Sequence, residues 1–129
     1  MWINKKIVSL LTAFILLAAC SKKPDGSKDN TPPVITIVSP SNNQVFTTGQ
    51  IIQITVNATD NDKVIELHIH VTNKTTSTLL RDIHTNPGQS SGTVQDSFTA
   101  EAGITYTIKI IAKDPAQNLT TIQVEVSAN

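Results

Sequence analysis

An alternation of apolar and polar residues with a period of two limits what this chain can fold into more than any other feature. In "IIQITVNATD", Ile52, Ile54, Val56 and Ala58 share one side, while Gln53, Thr55 and Asn57 take the other. In "VIELHIHV", Ile65, Leu67, Ile69 and Val71 alternate with Glu66, His68 and His70. "TYTIKIIAKD" groups Tyr106, Ile108, Ile110 and Ala112, and "TIQVEV" groups Ile122, Val124 and Val126. A strand sends successive side chains to opposite faces, so each segment predicts a strand with one face buried and one wet. Further short strands are predicted at 34–38, 79–84 and 93–99. "SPSNN", "TTGQ", "DNDK", "TNPGQSSG", "EAG" and "DPAQN" supply turn residues between them. About seven short strands rich in Thr and Val, with no helical period, predict an all-β fold, an antiparallel β-sandwich.

The N-terminal 31 residues lack this pattern and read as an address and a tether. Lys5 and Lys6 precede an almost wholly apolar run at 7–18, the layout of a secretory signal peptide. The run is about a dozen residues long, short of the roughly 20 that a helix needs to cross a bilayer. "LAAC" (Leu17, Ala18, Ala19, Cys20) then resembles the bacterial lipobox. The resemblance implies a lipoprotein signal peptide at 1–19, cut before Cys20, whose thiol takes a diacylglycerol and whose amino group is acylated, for example with palmitate. The alternative is an ordinary secretory signal with an incidental Cys. Acyl burial contributes about 0.8 kcal/mol per CH₂, so several chains anchor stably without a span. Residues 20–31 are then the lipidated Cys and a flexible linker, since "SKKPDGSKDNT" is wholly polar and turn-forming. Ser21 is not the Asp that retains enterobacterial lipoproteins at the inner membrane, which favours an outer-membrane place in the cell envelope. Periplasmic and surface-facing placements both agree with this stretch.

Residues 32–129 form the domain. Cys20 is the only Cys, so no disulfide is available and a hydrophobic core must carry stability. Of the 10 Lys and Arg, Lys5 and Lys6 fall in the leader, leaving 8 against 10 acidic residues and a net charge of −2. No basic run exists, so nucleic acid is not an expected partner. The sequence has no nucleophile motif and no Gly-rich phosphate loop, and it is read as a non-enzyme.

The stretch "PPVITIVSPSNNQVFTTGQIIQITVNATDND" resembles the opening of a bacterial immunoglobulin-like domain. Pro33, the apolar strand to Val38, Pro40, Gly49, and Ala58 leading to Asp60 carry the resemblance. "YTIKIIAKDPAQN" is similar to the family's last hairpin, through Tyr106, Ala112, Asp114 and Asn118. The chain departs from the family at Gln117, where Gly is common, and at Asn42 and Asn43; these positions touch turn chemistry only. The order of motifs also resembles Ig-like lipoproteins of the Bacteroidetes. The resemblance implies an Ig-like sandwich, and Tyr106 suits a tyrosine corner, a Tyr that hydrogen-bonds backbone upstream of its strand.

Two clusters are candidate sites. His68 and His70 lie two apart on one strand, about 6.7 Å along the backbone. If Leu79 and Ile83 face the core with Leu67 and Ile69, then Asp82 and His84 face outward with the two imidazoles. His68, His70, His84 and Asp82 would suit zinc or copper. A solvated polar face and a pH-dependent contact surface are the alternatives. Asp60, Asp62, Asp114 and Asn118, in loops expected at one end of the sandwich, offer hard oxygen ligands to calcium, as in related cadherin-like domains; turn capping is the plainer reading. No cofactor is required on either reading. The expected function is a membrane-anchored, non-enzymatic module for adhesion, protein binding or assembly in the cell envelope, with contact loops at 73–78 and 85–92. Ligand binding, including carbohydrate, is the alternative class, although sugar platforms rest on exposed Trp or Tyr and the domain has no Trp.

Overall fold

Among the described residues the chain forms eight strands: β1 (Val34–Ser39), β2 (Gln44–Phe46), β3 (Ile51–Val64), β4 (Glu66–Asn73), β5 (Leu79–Thr85), β6 (Gln89–Thr99), β7 (Thr105–Lys113) and β8 (Leu119–Ala128). This computed structural model describes residues 26–129. The expected signal peptide and Cys20 lie outside the described residues. The strands form two sheets, β1-β3-β6 and β2-β8-β7-β4-β5. Neighbours pair antiparallel except β2, which runs parallel to β8. The fold is an Ig-like β-sandwich.

Its core is the apolar half of the alternation. Ile52, Ile54, Val56 and Ala58 of β3 are fully buried against Leu67, Ile69 and Val71 of β4 and Ile108, Ile110 and Ala112 of β7. Tyr106 is the largest fully buried side chain among the described residues. Its ring meets Phe98 edge-on at 4.9 Å, and its hydroxyl accepts the Glu101 N–H at 2.8 Å, five residues upstream. This is the tyrosine corner that the family resemblance implied.

Three sequence expectations need correction. Strand β2 was not expected, because three residues are too few to show a period; only Phe46 of them is buried. "TDND", read as a loop, is strand: β3 continues to Val64, with a register shift against β6 between Thr59 and Val64. Residues 60–63 stand opposite Ser90 alone, so the ladder is interrupted there and the side-chain alternation is broken. Leu79 does not face the core. The β4–β5 register slips between Val71 and Thr72, and Leu79 is left 51 % exposed on an edge strand.

Both departures from the family's turn pattern adopt the left-handed conformation that glycine favours. Asn43 has φ 62° and Gln117 has φ 72°. Asn tolerates this region through local hydrogen bonding, whereas Gln accepts it at a steric cost.

The side of the sandwich where β5 and β6 lie edge to edge is closed by charge. Arg81 stands opposite Val71, and Asp96 opposite Ile54, so both occupy inward positions. Arg81 donates from Nε to Asp96 Oδ2 at 2.6 Å and from Nη2 to Oδ1 at 2.9 Å, a bidentate pair between the two sheets. Inward charges on edge strands also discourage pairing with other chains. Burial alone would raise the Asp96 pKa. The Arg81 hydrogen bond, the Ser97 backbone N–H and the Arg81 charge outweigh it and hold the carboxyl below its ordinary value. A group depressed in the folded state stabilises above its unfolded pKa, and that contribution disappears as pH falls through the folded value. Asp96→Asn is therefore expected to lower stability at neutral pH and to flatten the loss of stability below about pH 4. Urea midpoints across that range check this; parallel pH profiles for the two proteins would contradict it.

Candidate functional site

The outer face of the five-stranded sheet gathers the histidines. Every second residue of β4 faces out, which places Glu66, His68 and His70 in a row. On β5, His84 stands directly opposite His68, and Asp82 opposite His70. The expected sharing of one face by His68, His70, His84 and Asp82 is thus seen in the register, even though Leu79 does not help to set it. The His68 and His84 rings are 3.9 Å apart, edge to face, and His68 and His70 are 5.4 Å apart. His70 Nε2 lies 3.4 Å from Asp82 Oδ1, and His68 Nδ1 lies 3.4 Å from Glu66 Oε1.

The four expected ligands therefore fall into two groups. Glu66, His68 and His84 each place one ligating atom within 4.8 Å of the others, whereas His70 and Asp82 form a separate pair. Glu66 was absent from the expected ligand set. Its position two residues before His68 was the signal that could have found it, because i and i+2 share a face. On β7, Lys113, Ile111 and Lys109 stand opposite Glu66, His68 and His70. Asn86, in the turn after β5, holds His84 Nε2 at 2.8 Å.

The second cluster sits where the chain enters the domain. Asp29, Asp60 and Asp114 bring carboxylate oxygens within 4.8 Å of one another. Asp114 is fully buried and accepts from Asn118 N at 2.8 Å and Nδ2 at 2.6 Å. Asp60 Oδ1 accepts from the backbone N–H groups of Asp62 and Lys63, while its Oδ2 is buried without a partner. The structure thus brings Asp60, Asp114 and Asn118 together, as expected, but not Asp62. Asp62 is exposed and contributes only its N–H.

Asp29 takes its place. It accepts from Asn61 Nδ2 at 2.9 Å, and its carbonyl accepts from Asn118 Nδ2 at 3.0 Å. The Thr31 N–H and the Asn61 amide lower its pKa, with burial opposing them. Thr120 Oγ1 donates to Pro33 O just beyond, so the entering chain is fastened to the end of β3, the β7–β8 turn and the start of β8. No local pattern in the sequence could show this, because the partners lie 32 and 89 residues away.

The opposite end is built from turns. Thr48 and Gly49 donate to Asn129 O and Ala100 O, Gly103 donates to Ala128 O, and Lys74 donates to Thr105 O. The 73–78 loop therefore sits with the turns at 47–50 and 100–104. Leu80, Arg81, Phe98, Thr99, Glu101 and Tyr106 line a shallow cleft of about 250 Å³ nearby. Leu79 and Leu80 are exposed beside it. All three aromatic residues of the domain are buried or half-buried, so none offers the exposed ring of a sugar platform.

A family model described as a bacterial Ig domain matches residues 33–110. Among solved structures, the fibronectin(III)-like modules of Clostridium thermocellum CbhA are similar, with 22% identity and a TM-score of 0.50 over 74% of this chain and 94% of that one. A superoxide reductase (neelaredoxin) from Ignicoccus hospitalis is similar with 13% identity and a TM-score of 0.52, over 77% of this chain and 81% of that one. At these identities the likenesses show the fold alone. No curated protein matches the chain.

Proposed function

The chain belongs to the bacterial Ig domain family, and from that premise we propose that it is a non-enzymatic binding or assembly module. It is held at the outer membrane by lipid on Cys20 and meets a protein partner with the end of the sandwich remote from its tether. Domains of this family are typically non-enzymatic. The observation that supports the reading is the fastening of Asp29 and Pro33 beside Asn61, Asn118 and Thr120. A linker arriving there puts the 60–63 and 114–118 segments near the membrane. The nine residues of β7 then carry the 73–78, 47–50 and 100–104 turns about 26 Å outward. Of the two contact loops expected from sequence, 73–78 is the outward one; the expected 85–92 loop shrinks to residues 86–88 at the inward end, because β5 runs to Thr85 and β6 begins at Gln89. Cys20→Ala is expected to move the protein from the membrane pellet to the soluble fraction. Retention of that variant in carbonate-washed membranes would sink the lipid tether.

A second reading, calcium at the tether end, is favoured by the buried, unpartnered Asp60 Oδ2 beside Asp29 and Asp114. Among the described residues no Lys or Arg nitrogen lies within 4 Å of these three carboxylates. Clustered carboxylate oxygens suit a hard cation. Millimolar calcium should raise the melting temperature and slow proteolysis around Asp29, and Asp60→Asn should abolish both responses. If calcium changes neither, the cluster is only a set of turn caps.

A further inference from the structure

We propose that Glu66, His68 and His84 form a binding site for one borderline divalent transition ion, zinc or copper(II), on the outer face of the five-stranded sheet. This goes beyond the contact function, which uses a different part of the surface. The three residues lie on two paired strands and approach one another from fixed backbone positions. His68 and His84 are direct cross-strand partners, a placement that sets their Cβ atoms about 5 Å apart. Their rings already touch, at 3.9 Å between centroids. Glu66, two residues before His68, brings Oε1 to 3.4 Å from His68 Nδ1. Four-coordinate zinc with bonds of about 2.0–2.1 Å needs ligand atoms roughly 3.4 Å apart. The observed atoms lie within 4.8 Å of each other, so side-chain rotation alone can close the site.

The surroundings favour this trio over its neighbours. Strand β4 is hydrogen-bonded on both sides, by β5 and β7, so the backbone under Glu66 and His68 does not need to be ordered by the ion. The Asn86 amide nitrogen donates to His84 Nε2 at 2.8 Å and also reaches Ile65 O and Thr85 O, which fixes the ring against the turn after β5. Lys113 stands opposite Glu66 in the register, yet among the described residues no Lys or Arg nitrogen lies within 4 Å of the Glu66 carboxylate. His70 is less suited, because it pairs with Asp82 and has Lys109 opposite it. Two imidazoles with one carboxylate select zinc or copper(II) over calcium and magnesium. Three protein ligands leave the remaining position open to water or an external donor.

Calorimetric titration of zinc into the protein near neutral pH, with melting temperature as a second readout, tests the assignment. One zinc per chain is expected, with a rise in melting temperature that is reduced in His68→Ala. His68→Ala and His84→Ala should each weaken zinc binding at least about tenfold. His70→Ala should change it by less than about twofold, since that side chain is outside the trio. The metal-free melting temperatures of all three variants should stay close to wild type; where one falls, His68→Gln or His84→Gln replaces it. The proposal is overturned if excess zinc gives no saturable binding. It is equally overturned if His70→Ala loses as much affinity as His68→Ala, or if His68→Ala/His84→Ala still binds zinc like wild type.

Discussion

Leu67→Asp unfolds the domain, whereas His68→Asp, one residue further along β4, leaves it folded. Leu67 is fully buried, lies between Thr85 of β5 and Ala112 of β7, and belongs to the central hydrophobic cluster. An aspartate there would be an unpaired carboxylate in an apolar interior, a change that costs more than about 4 kcal/mol. Total stability of a domain this size is about 5–15 kcal/mol, so little would remain. His68 faces the wet side of the same strand. An Asp there meets Glu66 as a like charge in solvent, a penalty of about 1 kcal/mol or less. Urea denaturation of both variants measures the difference. Equal shifts in midpoint would mean that the facing of β4 is misassigned.

Tyr106→Ala is the second large effect, with an expected loss of about 3–5 kcal/mol. The ring is buried at the start of β7 and packs edge-on against Phe98 of β6, so it ties the two sheets together at the outward end. Its removal leaves a cavity between strands that are held by their own ladders and cannot collapse freely. Tyr106→Phe keeps the ring and loses only the acceptor for the Glu101 N–H, a change of about 1 kcal/mol. Thermal unfolding of the pair separates packing from hydrogen bonding. A Phe variant as unstable as the Ala variant would place the contribution in the hydroxyl rather than in the ring.

The sequence shows its architecture because a period of two survives wherever one sheet face is buried. Leu67, Ile69, Ile108 and Ile110 could be assigned to the core from that period alone, and the outward parity of His68, His70 and His84 followed from it. The misses arise where the period is interrupted or where partners are distant. Strand β2 has a single buried residue, Phe46, and so no period to read. The register shift in β3 leaves 60–63 unpaired within a strand, with Asp60 capping the Asp62 and Lys63 N–H groups, so turn-type residues stand inside a strand. Leu79 is apolar yet exposed, because β5 is an edge strand whose register slips at Leu80, between Arg81 and Leu79. Arg81 and Asp96 break the apolar pattern of their strands, but only the closed sandwich shows that each break answers the other. Asp29 had no local signal at all. Its role depends on Asn61 and Asn118, which only the three-dimensional fold brings to it.

The proposed function turns on which end of the tethered sandwich meets a partner. Photo-crosslinking in intact cells measures it most directly, with a crosslinking residue placed at Thr76 in the outward loop or at Asn61 beside the linker. A discrete protein adduct is expected from Thr76, little or none from Asn61, and loss of the Thr76 adduct when Cys20→Ala frees the protein from the membrane. Adducts formed from Asn61 but not Thr76, or a Thr76 adduct unchanged by Cys20→Ala, would contradict the proposed function.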